Sequence, residues 1–247
     1  MRAISPLALL GVWAWLAHSS VLPANTLPSP WAVVQQFRVL FTQQDLLGQL
    51  GVSLWLALRG LLIGVSLGLV LGVSAGLWRL GEELLDAPLQ MLRTIPFLAL
   101  TPLFIVWFGI GTAPKLILIA LATTFPMYLN TSAGVRNVDR KVVEAARSYS
   151  LRGPKLIGQV VFPLALPSVL TGLRFSLTIS VLALVAAEQI NATAGLGYLM
   201  SQAESFQQTS TLFCCVLLYA ALGLGADVLV RVIEKRALPW RASVAVR

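Results

Sequence analysis

Long apolar runs separated by short polar intervals set the plan of this chain. The runs lie at about 6–22, 52–78, 94–111, 115–133, 164–187 and 211–232. A helix needs about 17–25 apolar residues to cross a bilayer, so the pattern predicts six transmembrane helices. A cleaved signal peptide with Arg2 as its basic start competes for the first run. An uncleaved span is preferred, because the rest of the chain is polytopic. A Pro-punctuated stretch follows, with an amphipathic segment from Trp31 to Phe41 whose first ring suits a membrane interface.

Inside the second run, Gly60, Gly64, Gly68, Gly72 and Gly76 recur at every fourth residue. Such spacing lays a groove along one helix face and predicts a close helix–helix seam. The seam fits either one subunit or a dimer. A charged turn is expected over Arg79, Glu82, Glu83, Asp86 and Arg93. The third run is broken by Pro96 and Pro102, as spans bordering a transport route or merely kinked for packing can be. The fourth carries Thr123, Thr124, Pro126, Asn130 and Thr131 in its second half. The fifth contains Arg174 and ends at Glu188, and intramembrane charges need partners. A polar loop from Asn191 to Ser210 holds Gly195 and Gly197 and no Lys or Arg. Asp227 lies near the end of the sixth run.

Composition agrees with a membrane protein. Of 247 residues, 57% are hydrophobic and 11% charged, and the mean hydropathy is +0.82. The net charge of +8 would suggest nucleic acid in a soluble protein. Here the basic residues cluster at helix ends, and no nucleic-acid motif accompanies them. Fourteen of the 18 Lys and Arg residues fall on one side if both termini are cytoplasmic, which satisfies the positive-inside rule. Only Arg38, Arg59, Lys115 and Arg174 lie elsewhere. Adjacent Cys214 and Cys215 are read as packing residues. There is no HExxH, GxSxG or GxxxxGK[ST] motif, so no catalytic residue, metal site or ATP hydrolysis is assigned to this chain. A secondary transporter is the rival class, but it would show inverted repeats, and none is found.

The longest polar interval is Arg136 to Pro163. Val142, Ala145, Ala146 and Tyr149 fall at i, i+3, i+4 and i+7 and predict one helix face. Arg140, Glu144 and Arg147 line another. Glu144-Ala145-Ala146, a helix restart and then Pro163 resemble the EAA loop of ABC-transporter importer permeases. Ser150 stands where that pattern has Gly, Val160 where it has Ile and Phe162 where it has Leu. Gly there would permit a positive φ that Ser adopts only at a cost, so the break between helices is expected nearer Gly153-Pro154. TGLR at 171–174, AE at 187–188 and GLGY at 195–198 extend the resemblance to permeases of the nitrate, sulfonate, taurine and bicarbonate class.

The resemblance implies an all-α membrane permease of type I importer-like fold, with six spans, N-in and C-in. It implies one permease domain over 1–247: first span and external segment 1–44, core 45–235 with the loop 136–163, and basic tail 236–247. It implies a bacterial inner-membrane assembly containing a second permease copy as a homodimer, cytoplasmic ATPase subunits that bind ATP and Mg, and an external solute-binding protein. This chain itself would bind no cofactor. Its coupling residues would be Glu144, Ala145, Ala146, Arg147, Tyr149, Ser150, Gly153 and Pro163. Pro163 and Pro167 would begin the fifth span. For the solute path the kinked spans suggest Thr101, Thr123, Thr124 and Asn130, with Arg59, Arg174 and Glu188. The competing reading makes Arg59 and Arg174 structural ion-pair members, with Glu188 or Asp227 as partners. Solutes resembling thiamine precursors remain an alternative cargo.

Overall fold

The computed structural model describes residues 4–19, 23, 26–190 and 192–237. Arg2, residues 20–22 of the first run, Asn191 and residues 238–247 of the basic tail lie outside the described residues. Among the described residues every regular element is helical. They are α1 (Ile4–His18), α2 (Pro30–Gln43), α3 (Leu46–Leu77), α4 (Arg79–Thr94), α5 (Thr101–Phe108), α6 (Thr112–Arg136), α7 (Arg140–Ser148), α8 (Gly153–Leu156), α9 (Phe162–Glu188), α10 (Leu196–Ser205) and α11 (Thr209–Ala237). A short 3-10 turn, Phe97–Leu100, precedes α5, and a π-helical stretch, Ile157–Val161, joins α8 to α9.

Among the described residues four helices are long and apolar enough to cross a membrane: Leu46–Leu77, Thr112–Arg136, Gly153–Glu188 and Thr209–Ala237. A pair bent by 87°, Leu80–Thr94 with Phe97–Phe108, would make a fifth crossing among the described residues if it is one broken span. At 15 residues, α1 is about 22 Å long, short of the roughly 30 Å hydrocarbon layer.

Three expectations are corrected. The charged stretch after the second run is a 16-residue amphipathic helix, α4, rather than a turn. Its Glu82 and Asp86, one turn apart, both meet Arg136, at 2.9 and 3.1 Å. Leu80, Leu84 and Met91 on α4 are exposed. The third run is not one kinked span: Ile95, ahead of Pro96, is extended, as a residue before proline prefers, and only eight residues of α5 follow. The fifth span starts at Gly153, not at Pro163, and runs for 36 residues. Pro163 has no N–H to give residue 159, and the π-helical stretch lies where that bond is missing.

The chain divides into two compact units. One comprises Met1–Trp55 and Glu188–Leu222. There the Trp13 ring stacks on Phe213 at 5.8 Å, and its indole N–H donates to Pro28 O at 3.0 Å. Val33, Leu40 and Leu46 are buried in it, as are both cysteines.

The other unit comprises Leu56–Ala187 and Gly223–Arg247. Its centre is the packing of α3 against α6 along the five glycines. A methyl group at Gly60 would stand 2.6 Å from Ile119, at Gly68 2.6 Å from Thr124 O, at Gly72 2.7 Å from Thr131 and at Gly76 2.6 Å from Val135. The seam therefore lies within one chain. Small residues let the backbones approach this closely, which in lipid replaces the hydrophobic drive that water would supply. The same unit packs α9 on α6, where Ser176 Oγ donates to Thr123 O at 2.8 Å.

Candidate functional site

Local chemistry accounts for both ends of α7. Asp139 caps its start, its carboxylate accepting from Lys141 N at 2.9 Å. At the other end Leu151 N donates to Ala146 O at 3.2 Å and Ser150 N to Arg147 O at 3.0 Å. That pair of bonds is a Schellman motif, which needs a left-handed residue at its centre. Ser150 takes that position with φ +63°, and Gly153 follows with φ +54°. Both residues make the reversal, so Ser150 keeps the geometry a glycine would favour.

The expected face of α7 splits in two. Ala146 is buried in a cluster with Val135, Leu156, Val161 and Ala165, flanked by Val73, Leu77, Val143 and Leu151. Ala145 is exposed, and Val142 and Tyr149 are 43% and 84% exposed. The inward face thus fastens α7 to the ends of α3 and α6 and to the start of the Gly153–Glu188 helix. The outward face presents Val142, Ala145 and Tyr149, with Glu144 and Arg147 also exposed. Pro163 lies half-buried close behind this cluster.

A second polar centre lies in the first unit. Glu188 is 1% exposed. Its Oε1 accepts from Ser53 Oγ at 2.5 Å, and its Oε2 accepts from Tyr219 OH at 2.8 Å and Gly197 N at 3.2 Å. Ser53 Oγ in turn accepts from Leu196 N at 2.8 Å, and Gln49 Oε1 accepts from Gly195 N at 2.6 Å. The carboxylate sits at the N-terminus of α10, where backbone N–H groups and the helix dipole favour negative charge. A side chain on Gly197 would overlap Glu188 itself. The sequence marked Glu188, Gly195 and Gly197 but did not link the acid to Ser53, Gln49 or Tyr219, which no local spacing connects to it.

The other expected path residues are spread through the second unit. Thr123 is buried, with Oγ1 on Ile119 O at 2.9 Å. Thr124 Oγ1 lies 2.7 Å from Ala120 O and 3.2 Å from Gly64 O. Asn130 Nδ2 donates to Pro126 O at 2.8 Å. Thr101 is 6% exposed, and its hydroxyl has no hydrogen-bond partner among the described residues. Arg59 is exposed on α3. Arg174 pairs with Glu234 at 3.1 Å and lies 3.9 Å from Asp227. Of the acids expected for it, Asp227 is within reach, and Glu234, near the end of α11, adds a partner that the sequence did not single out.

The chain belongs to the family of binding-protein-dependent transport system inner membrane components, whose model matches residues 64–239. It is 46% identical over 235 residues to the aliphatic sulfonates transport permease protein SsuC of Escherichia coli, covering 95% of this chain and 89% of that one. It is 41% identical over 238 residues to the SsuC protein of Bacillus subtilis, covering 96% and 86%. Among solved structures it resembles an amino acid ABC transporter crystallised with histidines, with a TM-score of 0.61 at 17% identity, covering 81% of this chain and 97% of that one. The chain is therefore an ABC importer permease with an all-helical, multi-pass membrane fold.

Proposed function

We propose that this chain is the membrane-spanning subunit of an ATP-driven importer for aliphatic sulfonates in a bacterial inner membrane. The likeness to two sulfonate permeases, at 46% and 41% identity over nearly the whole chain, carries this reading. The same likeness favours sulfonates over the nitrate, bicarbonate and thiamine-precursor cargoes that the sequence pattern also allowed.

In this reading two copies of the chain form the pathway, an external binding protein delivers the solute, and ATPase subunits holding ATP and Mg dock below. The outward face of α7 is the contact with the ATPase. Its inward face, built on Ala146, carries the movement into α3, α6 and α9. ATP performs work because it binds one state of the assembly better than the other. A sulfonate spreads one negative charge over three oxygens and needs hydrogen-bond donors along its route. Thr101 and Asn130 are the donors proposed for that route, with Arg59 or Arg174 supplying positive potential. The buried Thr101 hydroxyl, free of protein partners among the described residues, supports its place there.

Deleting the gene should abolish growth on an alkanesulfonate as sole sulfur source and leave growth on sulfate unchanged. Unaltered growth on the sulfonate would overturn the cargo assignment. Solute uptake by the purified membrane assembly with no nucleotidase bound would overturn the ATP-driven mechanism.

A further inference from the structure

A cleft of about 490 Å³ opens where the end of α2 meets the turn from α10 to α11. Its walls are Gln36 of α2 and Gln44 just beyond it, Gln207 and Gln208 of the turn, and Ser210 and Thr211 of α11. All of these lie in one compact unit. No lining side chain is charged, and Val39 is the one wholly apolar side chain among them. Gln36 Nε2 donates to Thr211 Oγ1 at 3.1 Å and ties the two walls together. Thr211 Oγ1 donates to Gln208 Oε1 at 3.2 Å. The amides of Gln44 and Gln207 and the hydroxyl of Ser210 make no hydrogen bond among the described residues.

Gln207 is held in the wall against its backbone preference. α10 ends in a Schellman motif, with Gln208 N donating to Ala203 O at 2.7 Å and Gln207 N to Glu204 O at 3.1 Å. Gln207 takes the left-handed position, with φ +53°, where glycine would sit without strain. Glycine would also remove one of the free amides from the cleft.

The lining narrows the choice of occupant. A divalent cation takes carboxylate ligands, and a phosphate dianion calls for Arg or Lys. Neither kind of side chain lines the cleft among the described residues. The Trp, Tyr and Arg anchors that dominate protein interfaces are missing from it as well. What fits is a small solute rich in acceptors and carrying at most one charge. A sulfonate is such a group, with three oxygens for amide and hydroxyl donors to meet. A single valine suits a short alkyl chain better than a long one. Sidedness agrees. α11 has 29 residues and carries Lys235 and Arg236 in its last turn, which the positive-inside rule assigns to the cytoplasm. The cleft lies at the other end of that helix, on the side from which an imported solute arrives.

We infer that this cleft is an outer-side holding site for short-chain sulfonates, which binds them weakly enough to release them inward. The inference rests on the sulfonate cargo proposed above. It adds a place where this chain itself recognises that cargo.

The test uses the full chain in phosphatidylcholine nanodiscs and ligand-observed NMR. Ethanesulfonate is the probe, and dimethyl sulfone is its uncharged counterpart. Q44A/Q207G, which keeps the left-handed turn and removes both amides, should weaken ethanesulfonate binding about three- to tenfold. Q44E/Q207E keeps the side-chain shapes and adds two negative charges, so it should weaken binding about tenfold or more. Q44K/Q207K should tighten it and make it sensitive to salt. Dimethyl sulfone should respond to neither change of charge. In the ATP-driven assembly, Q44A/Q207G should raise the KM for ethanesulfonate uptake and leave kcat unchanged. Ethanesulfonate binding that is absent, or equal in wild type, Q44A/Q207G and Q44E/Q207E, would overturn the holding site. Loss of growth on the sulfonate after gene deletion would then leave the importer reading standing. Unaltered growth after deletion would overturn both.

Discussion

Ser53 Oγ donates to Glu188 Oε1 at 2.5 Å, joining α3 to the end of α9 across 135 residues of sequence. Glu188 also accepts from Tyr219 and from the backbone of Gly197. Removing the carboxylate would orphan three buried donors, each costing about 1–3 kcal/mol. Glu188→Ala is therefore expected to lower thermal stability in detergent by several kcal/mol or to stop membrane accumulation. Tyr219→Phe, which removes one donor, should cost about 1–2 kcal/mol. A Glu188→Ala protein melting like wild type would refute this account.

Ser150 sits in the left-handed region at the centre of the α7 Schellman motif. A non-glycine residue there carries strain of about 1–2 kcal/mol, partly offset because glycine gains entropy when unfolded. Ser150→Gly is expected to raise local stability by about 0.5–1 kcal/mol. Slower amide hydrogen exchange over residues 140–156 would report it.

Ala145 and Ala146 are neighbours with opposite fates. Ala145→Trp puts bulk on the outward face, so the protein should insert normally and lose ATP-coupled uptake. Ala146→Trp forces a ring into the cluster around Val135, Leu156 and Val161. It should destabilise the fold itself by about 1–3 kcal/mol or more. Yield and melting temperature measured beside uptake separate the two effects.

The glycine seam predicts position-specific intolerance. A methyl at Gly68 would press on Thr124 O and Met127 Cβ at 2.6 and 2.7 Å, and backbone cannot easily yield. Gly68→Ala should cost about 1–3 kcal/mol. Gly223→Ala meets nothing within 4 Å and should be neutral or slightly stabilising, because Ala favours helix. Equal melting temperatures for the two variants would argue against the seam.

Arg174 is 38% exposed and Glu234 27%. Both lie on helices long enough to cross a membrane, where a charge left without its partner is costly. A double-mutant cycle with Arg174→Gln and Glu234→Gln should return a measurable coupling. If Arg174 also serves the solute, Arg174→Gln will raise the KM for sulfonate uptake while Glu234→Gln leaves it unchanged. Equal effects on KM would make the pair purely structural.

Much of this was legible in the chain. Apolar run length gave the long helices, because crossing a bilayer fixes how many apolar residues a helix must have. The fourfold glycine spacing gave a seam, because residues four apart share a helix face. The EAA residues and the basic loop around them gave the exposed α7 segment. What failed was punctuation. Prolines at 96 and 163 were read as kinks or starts, whereas one ends in an 87° bend and the other is absorbed beside a π-helical stretch.

Three matters were decided only in three dimensions. The partner of the glycine groove is α6 of the same chain, because complementary Thr123, Thr124 and Thr131 lie at matching heights on that helix. Which alanine of the EAA pair turns inward depends on the rotation of α7, set by the apolar contacts of Val143 and Ala146 and not by their identity. The donors that hold Glu188 come from positions 53, 197 and 219. A sequence determines periodicity because neighbours along a helix share its geometry. Which distant groups satisfy a buried charge depends on how the helices pack, and the packing alone brings Ser53 and Tyr219 to the acid.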